Sequence, residues 1–452
     1  MDILCQLRFQ RPCFSVLPWE AFRIWCLIRQ LVLRIVVAIG VFSLSTACMP
    51  SPTSVSGSEY VHLTLWHAYG GAFGEQFEAL VEDFNDAHPG IVVEPSYGGS
   101  LWTMRDKLSI AIAGGAAPDL ALIDQFWSSE LADSGSIISL ERFLDADPTF
   151  DQEDVLPLAW KTAMYEDVIW SMPFSLSNIA LYYNRRLFCE AGLEPDAAPT
   201  TWGELETAAT ALTQDTDSNG VVDQWGLSIP MRANQGVVYY WFAFLWQAGG
   251  EIFSTDYTEP RFHETPGVEA LAFLQRLVKA GSLPLEPPEG GFEHGQIAMI
   301  LASTAQLSHY IEALGDDLGV ASLPCGQECA TGVGGANLAV LANCVHPQEA
   351  WEFVRWMSTS EVNLRWSTQT GYLPLRRSAI ASEAYQEYLA AEPRAAVILE
   401  QMKVARVRPN IPSYAAVSRE VGLAVEEALF GGTDPAAALS AAADRSMSFL
   451  GP

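Results

Sequence analysis

The sequence predicts an α/β protein of two lobes, each built on a doubly wound, mostly parallel sheet, with a hinge between the lobes. Three observations predict it. Strand-like and helix-like segments alternate at short spacing from Val61 to Ile123, as in a parallel sheet covered by helices. The stretch from Trp170 to Cys189, W-S-M-P-F-S-L-S-N-I-A-L-Y-Y-N-R-R-L-F-C, reads as the segment that leaves one lobe and enters another. The chain has 452 residues, of which 49% are hydrophobic and only 17% charged, enough for roughly two or three domains with a sizeable core.

The elements follow in order. Val61 to Trp66 (V-H-L-T-L-W) alternates like a strand, and His67 to Ala72 is a glycine-rich loop. Phe73, Phe77, Leu80, Val81 and Phe84 recur at helical spacing, and Pro89-Gly90 ends that helix. Ile91 to Pro95 is a second strand, Trp102 to Ala113 a helix closed by Gly114-Gly115, and Leu120 to Ile123 a third, buried strand. On such sheets ligands sit beyond the carboxyl ends of the strands. That places His67, Tyr69, Tyr97, Asp124, Gln125, Phe126 and Trp127 together, with helix capping or core packing as the competing role for Asp124, Gln125 and Trp127.

In the crossing stretch, Pro173 keeps Met172 extended. Ser175, Ser177 and Asn178 are small polar groups able to bond a ligand or their own backbone. Ile179 to Asn184 is apolar enough to be buried on both faces, and Arg185 to Ala191 is a helix stopped by Gly192. Further on, Val237 to Trp246 is almost wholly apolar and aromatic, mostly core, with one or two of Tyr239, Tyr240 and Trp241 expected to reach a cleft. Aromatic faces there suit sugar rings. Gly267 to Ala280 and Val417 to Phe430 read as helices.

The N-terminus reads as a targeting segment. Arg23, Arg29 and Arg34 precede the apolar run Ile35 to Leu44, and Ser45-Thr46-Ala47-Cys48 follows. Cys48 fits the lipid-acceptor position of a lipoprotein signal, although Ser45 stands where Leu is usual. Residues 51–58 are a polar tether. The formal net charge of −29 opposes binding to nucleic acid or anionic lipid. Cys325 and Cys329 bracket G-Q-E in a loop, so a local disulfide is expected there in preference to a zinc site, and Cys189 is expected buried in its helix.

Y-Y-N-R-R-L-F-x-x-A-G-L-x-P (Tyr182 to Pro195), followed by P-T-T-W-G-E-L (Pro199 to Leu205), resembles the hinge region of extracellular solute-binding proteins of ATP-binding-cassette importers, in the family that takes carbohydrates and glycerol-3-phosphate. Phe84 to Val93, Gly114 to Leu120, Phe292 to Ser303, Thr370 to Pro374 and Arg406 to Pro412 resemble it too, over roughly Tyr60 to Leu450. The resemblance implies a periplasmic-binding-protein-like fold. Its segments would be a lipoprotein signal (1–47), a tether (48–59), lobe I (60–174 with 318–371) and lobe II (175–317 with 372–452). It implies a monomer that closes on its solute, permease subunits as partners, and an extracytoplasmic, membrane-anchored location. Gly334, Gly335 and Asn337 in G-V-G-G-A-N, Tyr372 in T-G-Y-x-P, and Arg406 or Arg408 join the implied ligand contacts.

Asp215-x-Asp217-x-Asn219-Gly220-Val221-x-Asp223 places oxygen ligands like those of a calcium loop, with the Val221 carbonyl between them. Position twelve is Gly226 rather than Glu, so a structural calcium would need another carboxylate. No G-x-S-x-G, H-E-x-x-H or P-loop is visible, and no catalytic cofactor is implied. A binder is therefore expected, with a secreted glycoside-acting enzyme as the reading from another class. Asn234 and Val237 replace the Trp pair of the glycerol-phosphate branch, and Phe126 and Trp127 replace the charged pair of the maltose branch. That favours a neutral mono- or oligosaccharide over glycerol-3-phosphate or a glycerophosphodiester.

Overall fold

The structure, a computed structural model, describes residues 60–233 and 236–451. The expected signal segment, the tether, Cys48 and Asn234 lie outside the described residues. β1 (Val61–His67) and β2 (Ile91–Tyr97) pair in parallel, Val61 opposite Ile91 and His67 opposite Tyr97. β3 (Leu120–Asp124) lies parallel to β1 on its other side. The crossovers are α1 (Gly71–Ala87) and α2 (Leu101–Ala113). α1 buries Phe77, Leu80, Val81 and Phe84, the one apolar face its spacing provides. Ser100 caps α2, its hydroxyl accepting from the Thr103 N–H at 3.3 Å, a bond that stabilises such a terminus by about 1 kcal/mol. α3 (Trp127–Asp133) follows β3 directly.

Six further strands complete the sheet: β4 (Met172–Asn184), β5 (Trp225–Ser228), β6 (Ile297–Ser303), β7 (Leu318–Ala321), β8 (Thr331–Val340) and β9 (Ala405–Arg406). Its nine strands run β2-β1-β3-β8-β4-β6-β5, with β7 on β4 and β9 on β8. The parallel order of β2, β1 and β3 gives way to antiparallel pairing of β8 with β3 and of β4 with β8. The sheet is therefore mixed, because β8 returns from the second lobe and enters the first from the opposite end.

β4 is the element that joins the lobes. All 13 of its residues are buried. Met172 to Asn178 pair with β8, while Ile179 to Asn184 pair with β6 and β7. One strand thus belongs to both halves of the sheet. α4 (Arg185–Glu190) follows it, capped by the Asn184 side chain. That helix buries Leu187 and Phe188, and the next residue turns outward, so Cys189 is exposed and not buried as the sequence suggested.

α5 (Trp202–Ala211), α6 (Val237–Gln247), α7 (Thr265–Lys279), α9 (Tyr414–Phe430) and α10 (Pro435–Ser446) bury their apolar faces in one hydrophobic core, and α8 (Ser360–Thr370) in another. α6 is apolar nearly all round and sits in the core, with Trp241, Phe242 and Trp246 buried. Cys325 and Cys329 form the expected disulfide, in the loop between β7 and β8. That loop docks on the second lobe: the Cys325 N–H donates to the Thr200 carbonyl at 2.8 Å and the Glu328 N–H to the Gln247 carbonyl at 3.0 Å. Among the described residues no helix is long and apolar enough to cross a membrane.

Candidate ligand-binding site

The carboxyl ends of β1 and β3 meet the middle of β4 and β8, and the polar candidates converge there. Tyr69, just past β1, donates its hydroxyl to Ser175 Oγ at 2.7 Å. The same Ser175 oxygen accepts the Ala336 N–H at 2.9 Å, so one buried hydroxyl ties three segments. Gln125 donates from Nε2 to the Gly334 carbonyl at 3.2 Å. Gly335 lies beside this contact at φ +138°, and a Cβ there would come 2.1 Å from the Ser175 carbonyl oxygen. Only glycine lets β4 and β8 approach so closely.

The second lobe supplies Tyr239 from α6. Its hydroxyl donates to the Gly332 carbonyl at 3.2 Å. A Cβ on Gly334 would lie 3.0 Å from the Tyr239 oxygen and 3.2 Å from Ser177 Oγ, which puts Ser177, Gly334 and Tyr239 in one place. Tyr372 stacks on Trp366 of α8 at 5.6 Å and meets the Tyr69 ring edge-on at 6.0 Å. Burial pushes the Tyr372 hydroxyl up to about 12 and raises those of Tyr69 and Tyr239 as well, so all three act as neutral donors.

Charge enters the site as a compensated pair. Arg408 Nη2 donates to Asp124 Oδ1 at 3.0 Å. The guanidinium also lies 4.7 Å over Phe126 and 5.3 Å over Tyr239. Burial raises the Asp124 carboxyl above its usual range, and Arg408 pulls it only part of the way back. Phe126 packs on Tyr414 of α9 at 4.9 Å, a contact from the end of β3 to the second lobe.

Other candidates are taken up by the protein itself. His67 is fully buried against Phe77, its Nε2 3.4 Å from Glu78 Oε1, and desolvation lowers its pKa. Trp127 and Trp241 are core residues. Asn178 donates to the Ile398 carbonyl and accepts from Gln401, and Asn337 bonds Thr162 and Ser171. Arg406 turns away to a double contact with Glu251 at 2.6 and 2.7 Å. Tyr97 stands at the end of β2, 56% exposed.

Sequence reasoning missed Asn410, whose amide accepts from the Ser129 N–H and donates to the Met164 carbonyl. The signal was there: Arg406, Arg408 and Asn410 alternate along an extended segment, each reaching a different neighbour. It also missed Trp102, exposed at the start of α2, whose ring lies 6.2 Å from that of Phe126. In the loop before β5, Asp215, Asp217 and Asp223 each offer a carboxylate oxygen, all within 4.8 Å of one another. Asn219 Oδ1 there accepts from the Val221 N–H at 2.8 Å.

A two-lobe α/β fold, with strands shared between the lobes and neutral polar and aromatic groups gathered at the crossing, defines a protein that holds a small molecule between its halves. The profile of bacterial extracellular solute-binding proteins matches residues 79–393, and the chain belongs to that family. It is similar to the sn-glycerol-3-phosphate-binding periplasmic protein of Pectobacterium atrosepticum, 24% identical over 79% of this chain and 83% of the relative. Among solved structures it is similar to the cyclic alpha-maltosyl-1,6-maltose binding protein of Arthrobacter globiformis, 29% identical over 86% of this chain and 99% of that one, with a TM-score of 0.74. It is also similar to an ABC transporter solute-binding protein of Thermotoga lettingae bound with alpha-D-tagatose, 25% identical over 86% and 100%, with a TM-score of 0.77.

Proposed function

We propose that this chain is the solute-binding subunit of an ABC importer, closing lobe I (60–174 with 318–371) and lobe II (175–317 with 372–452) on a neutral mono- or oligosaccharide. It delivers the sugar to permease subunits without altering it. One observation carries the choice of ligand: the Arg408 guanidinium, the cation among the converging groups, is matched by Asp124 at 3.0 Å. A dianionic phosphate would meet a site whose positive charge is already neutralised, beside a buried carboxylate. Sugar hydroxyls would instead find neutral donors and acceptors on Tyr69, Gln125, Ser177 and Tyr239, and a ring face at Tyr372. Contacts from both lobes form only on closing, which gives the ligand its hold on the closed state.

The second reading is a glycerol-3-phosphate or glycerophosphodiester binder, favoured by the name of the Pectobacterium relative. Calorimetry with neutral sugars, sn-glycerol-3-phosphate and glycerophosphocholine separates the two. Saturable binding of a sugar with no release of reducing ends supports the first. Tighter binding of the phosphate compounds overturns it, and release of reducing ends points to a glycoside-acting enzyme.

The finer features follow from the sequence. Cys48 carries the lipid that anchors a monomer outside the membrane, tested by detergent-phase partition of the full chain against a Cys48→Ala variant. Asp215, Asp217, Asn219, Asp223 and the Val221 carbonyl hold a structural calcium, a donor set of hard oxygens that suits that ion.

A further inference from the structure

We propose that Trp102, with Tyr97 beside it in the chain, is a second, outer sugar-stacking platform, and that the solute is an oligosaccharide extending beyond the buried site. This rests on the sugar-binding reading above. Trp102 is 44% exposed and Tyr97 56% exposed, in a molecule where Tyr69, Gln125 and Asp124 of the inner site are buried. Both belong to the rim at the carboxyl end of β2: Tyr97 is its last residue, and Trp102 stands in the first turn of α2. The Phe126 ring lies 6.2 Å from Trp102, and Phe126 in turn touches Arg408 and Tyr414. A continuous line of rings thus leads from the Asp124–Arg408 pair to solvent.

Phe126 backs Trp102 from within while leaving its outer surface in water. The Tyr97 ring is held in the same way, 6.0 Å from buried His67. The loop that carries both rings is held from within: Gly98 is buried where a Cβ would come 2.8 Å from Met104, and its carbonyl accepts from Lys107 Nζ at 2.7 Å. The exposed hydroxyls of Ser100 and Thr103 lie between and beside the two rings, 3.0 Å apart and bonded to each other, with Ser100 Oγ also capping α2. Apolar ring faces beside hydroxyls at a strand-end rim match a pyranose, which offers C–H patches and hydroxyls together.

The test is calorimetry on the mature chain with maltose through maltohexaose and cellobiose through cellohexaose, using wild type, Trp102→Ala and Trp102→Phe. In one series the wild type binds the longer members more tightly than the disaccharide. Trp102→Ala loses roughly three- to tenfold in affinity for the longer members and little for the disaccharide, and Trp102→Phe restores most of it. Trp102 is exposed at a helix start, so equal melting temperatures are expected for all three proteins. Sugar binding with the same length dependence in wild type and Trp102→Ala overturns the platform alone. Binding of no sugar in either series overturns the platform together with the reading it rests on.

Discussion

Replacing Asp124 by Asn leaves Arg408 buried between Phe126 and Tyr239 with no carboxylate to neutralise it. In the native protein the partners are 3.0 Å apart and their side chains only 13% and 10% exposed, so solvent screens them weakly. At an effective dielectric of about 20 the attraction is about 5 kcal/mol, most of it offset by desolvation. Removing one partner of such a pair costs about 3–5 kcal/mol, because the other charge stays buried. The Asn oxygen still accepts one bond, so the loss should fall near 3 kcal/mol in urea melts. The variant then has an uncompensated cation facing the site. sn-Glycerol-3-phosphate should stabilise it and leave the wild type unmoved, and an anion at a hundred times its dissociation constant would return about 2.7 kcal/mol. If the variant melts within about 0.5 kcal/mol of wild type and the phosphate compound shifts neither protein, the pair does not set the charge preference and the argument for a neutral ligand falls.

Other expectations are narrower. Gly335→Ala puts a methyl group 2.1 Å from the Ser175 carbonyl, so the variant should lose about 3 kcal/mol or more in denaturant melts, or fail to accumulate as soluble protein. Cys329→Ser opens the short disulfide loop and should cost about 2 kcal/mol, a difference that vanishes when both proteins are measured under reductant. Asp217→Ala should lower the melting temperature only in the presence of calcium and leave sugar affinity intact; an equal drop in chelator would show that the loop needs no ion.

Much of the fold was legible because the first lobe keeps its periods clean. Leu63 and Leu65 alternate in β1, Phe77, Leu80, Val81 and Phe84 line one face of α1, and Leu120 to Ile123 form a run too apolar for an edge. The same parity could have placed His67. It shares the inward side of β1 with Leu63 and Leu65, and its burial follows from counting by two rather than from its chemistry. The mixed strand order was not legible, since periodicity carries no information about which end of a sheet a returning strand enters from. Nor was the division among polar residues. Asn337 and Gln125 look alike in sequence, yet Asn337 is bound on both its amide atoms by Thr162 and Ser171, while Gln125 stands where β3 meets β8. Such assignments depend on partners well over a hundred positions away, which no local pattern reports.

The position of β8 between β3 and β4 also dictates when the protein can finish folding. β3 and β4 both take their neighbour from β8, and Gln125 meets Gly334 across 209 positions of sequence. Until that late segment emerges, two strand edges rich in unpaired N–H and carbonyl groups stay open, the condition under which chains pair with the wrong partner. A nascent chain cut short before Thr331 would therefore be sticky rather than half-built. Maturation of this protein should be slow and helped by chaperones that cover sheet edges until the last crossing strand slots into place.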